Sequence, residues 1–159
     1  LAYPFLLVGR AVGALGAKRG TNVPVKVRNW CRPDSPAMHW HRTFRFPGNK
    51  PLVFSSRMEH LGGSHIIEYV GFGLGVRMRL CEEDGALVFT SLGYQWDLGR
   101  LRLRLPDWLF LGRAEIRETP LDNRRFRVTF SMRHPLLGET FGYKGEFSLE
   151  AAPDHTLSR

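Results

Sequence analysis

Cysteine is nearly absent from this 159-residue sequence: only Cys31 and Cys81 occur, far apart and with no CxxC or Cys/His spacing around either. That pattern supplies no redox or metal motif, and it leaves two reduced thiols or one long-range disulfide as the alternatives. No stretch reaches the roughly 20 consecutive apolar residues of a membrane-spanning helix. Also missing are a GxGxxG placed between strand and helix, a Walker loop, a GxSxG elbow, a DxD pair and an HExxH pair, so no standard catalytic or nucleotide-binding motif is present. Acidic residues are scarce, with 15 Asp and Glu against 23 Lys and Arg, a net charge of +8 and a pI near 10.2. Such a balance favours encounter with nucleic acid, anionic lipid headgroups or an acidic partner, and says nothing of fold.

What is present is alternation. In 100–105, Arg-Leu-Arg-Leu-Arg-Leu places every leucine on one side and every arginine on the other if the backbone is extended. Arg125 to Arg133 repeats this with Phe126, Val128, Phe130 and Met132 on one face, and Phe141, Tyr143, Gly145, Phe147 and Leu149 form a further apolar face. One-sided strands belong to antiparallel sheets, because parallel sheets are covered on both faces. The separators Asp122-Asn123 and 134–138 have hairpin lengths and cannot hold a crossover helix.

Earlier in the chain, Val23, Val25 and Val27 predict a strand with Pro24 at an edge, and 39–46 a second, with Trp40, Arg42, Phe44 and Phe46 on one face and His39 and His41 on the other. Further strands are expected over 52–58, 65–70, 72–81 and 86–92, the last pair joined by an Asp84-Gly85 turn. Phe5, Val8, Val12 and Leu15 recur at helical spacing after Pro4, so residues 1–20 predict one helix that stops at Gly20 and docks on the sheet. The whole reads as a single β-rich domain over 1–159, with helix 1–20, antiparallel sheet 21–150 and tail 151–159. About ten strands form too wide a sheet to stay flat, so a barrel or half-barrel is expected, with a β-sandwich as the alternative. The first residue is not methionine and the chain opens inside an apolar stretch, so a piece of a longer protein is expected.

Several short motifs, taken in order, resemble a known family. They are Val23-Pro24-Val25-Lys26-Val27, Trp40-His41-Arg42-Thr43-Phe44, Ile66-Ile67-Glu68, Gly73-Leu74-Gly75-Val76, Leu105-Pro106, Pro135-Leu136-Leu137-Gly138 and Tyr143-Lys144-Gly145. Their order is similar to that of a bacterial domain of unknown function (DUF4166-like), found at the C-terminal end of saccharopine-dehydrogenase-like proteins and of some multi-pass membrane proteins. The resemblance implies an oxidoreductase or membrane-protein domain as partner within a parent chain. It implies no catalytic residue.

Among single residues, Arg42 and Glu68 stand out because each is a charge inside an apolar run, and buried charges need partners. A salt bridge between them is the structural reading, with Trp40 or Tyr69 covering the guanidinium plane; a guanidinium offered to an anionic ligand headgroup is the alternative. His39 and His41 share a strand face, but no acidic ligand follows closely, which argues against a metal site. Gly71, Gly73 and Gly75 lie in an apolar run and read as bends or close packing. Trp30 and Tyr94, read as outward aromatics, are not interleaved with arginines as stacking platforms are, so nucleic acid is disfavoured. The leading expectation is a non-catalytic binding or accessory domain whose apolar concave face accepts a hydrophobic or lipid-like small molecule, with Trp40, Arg42, Phe44, Glu68, Tyr69 and Tyr143 as ligand-contacting candidates and no cofactor or metal. One alternative is an interaction domain packed on an oxidoreductase or membrane partner; another is an enzyme using Glu68, Arg42 or the His39/His41 pair. The expected location is cytoplasmic, with membrane association through a parent protein as the alternative.

Overall fold

The computed structural model describes residues 20–150. They form one antiparallel sheet of ten strands: β1 (Val25–Arg32), β2 (Ser35–Phe44), β3 (Leu52–Gly62), β4 (His65–Gly71), β5 (Leu74–Glu83), β6 (Ala86–Leu98), β7 (Leu101–Leu105), β8 (Arg113–Pro120), β9 (Arg125–His134) and β10 (Gly138–Ser148). The strands lie in the order β1 to β6, then β8, β9 and β10, with β7 also on β6. The sheet curls into a half-barrel, and no backbone ladder joins β1 to β10 among the described residues. A single continuous sheet replaces the sandwich alternative. The helix expected over 1–20 lies outside the described residues except for its stop, Gly20, as does the tail 151–159.

Local chemistry accounts for the meander. Asp84 and Gly85 take φ of 53° and 74°, the left-handed pair of a two-residue turn that matches strand twist. Inward residues pair across neighbouring strands, as with Val27 opposite Arg42 and Arg42 opposite Phe54. They build two apolar clusters, one around Leu74 and Tyr94 and one around Ile66, Met78 and Phe89.

β6 is the hub. Along one edge it pairs with β5, while its other edge is shared: Leu87–Thr90 pair with β8 and Tyr94–Leu98 with β7. Both partners run antiparallel to β6, so β7 and β8 lie end to end as one return strand interrupted at 106–112. Pro106 has no N–H to give to a ladder, and Asp107–Leu109 form a 3-10 turn. The interruption folds into the apolar interior. Phe110 stacks on Tyr94 at 5.0 Å, Leu111 joins the same cluster, and Tyr94 Oη donates to the Gly112 carbonyl at 3.0 Å.

Two expectations change here. The strand expected over 86–92 runs on to Leu98, and Tyr94, read as outward, is buried. Between Val76↔Tyr94 and Met78↔Ser91 the β6 side has one residue more than the β5 side, and Gly93 at φ 103° lies within that extra step. The alternation of β6 therefore slips by one, which carries Tyr94 to the interior. Phe72, expected to open a strand, instead sits in the β4–β5 turn at φ 49° and is exposed.

Gly112 shows how tightly the interruption is held. At φ 96°, a Cβ there would lie 2.2 Å from the Arg133 carbonyl oxygen. Gly48, at φ 68°, has open space around it. Gly112→Ala is expected to lower unfolding free energy by more than Gly48→Ala, at least about 1–3 kcal/mol for the strained backbone. Equal losses in urea denaturation would show that the 106–112 segment yields without cost.

Candidate functional site

The unpaired edges of β1 and β10 face each other across a seam that opens into the curled interior. Near the β2–β3 end the seam holds a cleft of about 840 Å³ between residues 20–23, Val25, Phe44 and Phe46 on one side and residues 139–147 on the other. Deeper, a cleft of about 510 Å³ reaches Trp40, Arg42, Glu68, Glu118 and Tyr143. A smaller apolar cavity of about 100 Å³ adjoins it, sharing Arg42, Phe44, Glu68, Ile116 and Tyr143 as a common wall. Lys26 Nζ and Glu150 Oε2, 3.6 Å apart and both exposed, meet across the seam.

The common wall holds a closed polar triangle. Arg42 Nη2 donates to Glu68 Oε1 at 3.0 Å, Arg42 Nη1 to Ser56 Oγ at 2.8 Å, and Ser56 Oγ to the same Glu68 oxygen at 2.5 Å. Their side chains are 17% and 9% exposed for Arg42 and Glu68, so the ion pair works in a low-dielectric setting. Trp40 and Phe54 cover the guanidinium, with their ring centroids 5.0 and 5.6 Å from Cζ. Neighbouring strands bring these groups together because Arg42 on β2, Ser56 on β3 and Glu68 on β4 all face inward.

Three further polar groups line the deeper cleft. Trp40 Nε1–H is buried and has no acceptor among the described residues, which leaves a desolvated donor beside the cleft. Glu118, from β8 on the opposite side, has its carboxyl pushed up by burial, with the Arg42 charge opposing the shift. Burial likewise raises the Tyr143 hydroxyl.

Of the candidates read from sequence, Trp40, Arg42, Phe44, Glu68 and Tyr143 converge on the cleft walls. Tyr69 does not. It follows Glu68 in an extended strand and so points to the convex face, where its Oη donates to Asp97 Oδ2 at 2.6 Å and Arg57 lies over its ring. Gln95 and Arg102 complete that outer cluster by donating to Asp97. Gly75 allows it: a Cβ there would come within 2.7 Å of Ile67 and 3.1 Å of Tyr69. His39 and His41 also face outward; His39 stacks on Trp30, and His41 Nδ1 meets Ser55 Oγ at 3.1 Å. Among the described residues no group of three metal-ligating side chains comes together. Cys31 and Cys81 are both free thiols.

The residues that the sequence reading missed are Glu118 and Ser56. Glu118 carries the signal that singled out Arg42, a charge in step with Ala114 and Ile116 along one strand face. Ser56 has no such mark, since a serine between Phe54 and Met58 is ordinary on either face.

The triangle and the buried carboxyl behave differently under substitution. Glu68→Ala leaves Arg42 charged and unpaired, so a loss of about 3–5 kcal/mol is expected, most of it recovered in the Arg42→Met/Glu68→Met double variant. A double variant as unstable as Glu68→Ala in urea denaturation would remove the buried-pair interpretation. Glu118, whose native carboxyl titrates above the unfolded one, contributes stability in full below the unfolded value and loses it as pH rises through the native value. Glu118→Gln is therefore expected to be more stable than the parent at pH 8 and no more stable at pH 4; a gain independent of pH would mean that the carboxyl is solvated.

No curated protein and no solved structure matched the chain. The described residues contain no helix long and apolar enough to cross a membrane. One family does match: its description is "Domain of unknown function (DUF4166)", it spans residues 1–147, and the chain belongs to that family.

Proposed function

We propose that this domain is a non-catalytic binding module that holds a neutral, elongated, largely apolar molecule along the β1–β10 seam, with an oxygen acceptor of the ligand placed at Trp40 Nε1. The observation that carries this reading is the buried indole N–H without an acceptor among the described residues, at the wall of a cleft that pairs apolar side chains with already engaged polar ones. A desolvated donor costs free energy unless something accepts from it, and a ligand carbonyl, ester or hydroxyl oxygen would do so. The cleft volume of about 510 Å³ lies within the roughly 300–1,000 Å³ of small-molecule sites.

Electrostatics favour a neutral ligand. The Arg42 charge is already taken by Glu68 at 3.0 Å, and Glu118 adds a second carboxyl to the same cleft. The lining as a whole sets Glu68, Glu118, Glu146 and Glu150 against Arg42 and Lys26, so an anionic headgroup would meet an excess of carboxyls. Phe126 and Phe147, stacked at 5.7 Å, and Phe44 offer the apolar walls against which a chain or ring would pack. An accessory domain with a fully self-filled core is less consistent with these clefts. An enzyme is less consistent still, because Glu68 Oε1 already accepts two hydrogen bonds and the histidines face away.

The test is titration of the purified chain with a fluorescent monoacylglycerol and, in parallel, with the corresponding fluorescent fatty acid. Saturable binding of the neutral probe is expected, with weaker binding of the acid. Trp40→Phe should weaken the neutral probe about fivefold, the weight of one neutral hydrogen bond. No saturation up to the solubility limit, or tighter binding of the acid, would overturn the proposal.

A further inference from the structure

One end of the half-barrel differs in chemistry from the other. An antiparallel meander returns alternate connections to the same side, so the β2–β3, β4–β5, β6–β7 and β9–β10 turns share one end. The tips there carry large apolar side chains in solvent: Leu136 is 86% exposed, Leu137 72%, Phe72 67% and Trp108 61%. Leu98 and Leu101 face each other across the β6–β7 turn and are exposed as well. Exposed apolar side chains gathered at one end mark a surface that something else covers.

These tips are held in place by hydrogen bonds. Leu136 N and Leu137 N both donate to His134 Nδ1, so the ring proton sits on Nε2, which donates to the Trp108 carbonyl at 2.8 Å. The β9–β10 turn and the 106–112 interruption are thereby tied together. Trp96 Nε1 donates to the Phe72 carbonyl at 3.0 Å, and Asp97 N to that of Gly73 at 2.9 Å, which ties the β4–β5 turn to β6.

Charge at this end has one dominant sign. Lys50, Arg100, Arg104, Arg113 and Arg133 are exposed, and none forms an ion pair among the described residues. Two carboxylates here are already engaged, Asp97 by Arg102 and Asp107 by Ser91, with Glu139 as the remaining one. The turns at the opposite end carry Asp34, Glu82, Glu83, Asp84 and Asp122 against Arg32, Arg124 and Arg125, so acidic groups outnumber basic ones there.

From this polarity we infer that the β4–β5, β6–β7 and β9–β10 end docks on an anionic lipid bilayer. Phe72, Trp108, Leu136 and Leu137 enter the boundary between headgroups and acyl chains, and the surrounding arginines and lysine meet lipid phosphates. Apolar side chains with a basic surround are the combination that anionic interfaces select, and tryptophan is favoured at that depth. A protein partner with an acidic rim, or a second copy of this chain, would use the same apolar tips, and the test separates them.

The experiment is co-sedimentation of the full chain with phosphatidylcholine vesicles and with vesicles containing about 30 mol % phosphatidylglycerol, where binding only to the latter is expected. Leu136→Asp/Leu137→Asp and Arg100→Glu/Arg104→Glu should each weaken that binding about tenfold or more, with the far-UV spectrum unchanged. Quenching of tryptophan fluorescence by brominated acyl chains should be lost in Trp108→Phe. Absence of binding to either vesicle, binding unchanged in both double variants, or a dimer in ultracentrifugation that Leu136→Asp/Leu137→Asp dissociates without vesicle binding would each overturn the inference. Trp40→Phe leaves this docking intact, so failure of the seam as a ligand site and failure of the end as a membrane surface give different results.

Discussion

The constraint on which the rest of the structure depends is that one face of every strand is apolar while the first and last strands do not pair. The first half of that statement bends the sheet, because ten one-sided strands can hide their apolar faces only by curling around them. The second half leaves the curl open along one line. The polar triangle, the unpartnered indole and the Glu118 carboxyl all border the space that this opening reaches. A ladder between β1 and β10 would have closed it.

Within the curl, burial is uneven. The end filled by the interruption between β7 and β8 is packed, with Tyr94 and Leu74 each 2% exposed and Phe110 and Leu111 folded against them. The seam side has no comparable plug among the described residues. An inserted segment that leaves the sheet and returns into the core thus does what the next turn of a longer return strand would not. The same detour gives the end its exposed Trp108, so one departure from regular pairing supplies core on its inner side and an apolar tip on its outer side.

Strand faces were legible in the sequence because period-two alternation is a direct consequence of extended backbone, and Arg42 with Glu68 was legible because a charge inside an apolar run demands a partner. The same rule, applied consistently, separates Glu68 from Tyr69, since neighbours along a strand cannot share a face. It also reveals Glu118 in step with Ala114 and Ile116. What alternation cannot carry is a slip in its own phase: the extra residue at Gly93 turned Tyr94 inward, and no count of letters announces where a bulge falls. The seam was illegible for a different reason. Whether the edges of a curled sheet meet depends on stagger and twist summed over all strands, which no local pattern contains. The end-to-end arrangement of β7 and β8 is of the same kind, although Pro106 marks where the break begins.

The seam also has a mechanical consequence. Every strand from β2 to β9 except β7, which pairs with β6 alone, is held on both sides by hydrogen-bonded neighbours, so separating adjacent strands breaks a cooperative ladder. Moving β1 away from β10 breaks none. The described contact across that line is an ion pair between exposed side chains, Lys26 and Glu150, of a kind worth little in water. The molecule therefore has a hinge without a dedicated hinge residue: its stiffness is high everywhere around the curl and low along one line, and breathing motions of the whole sheet concentrate there.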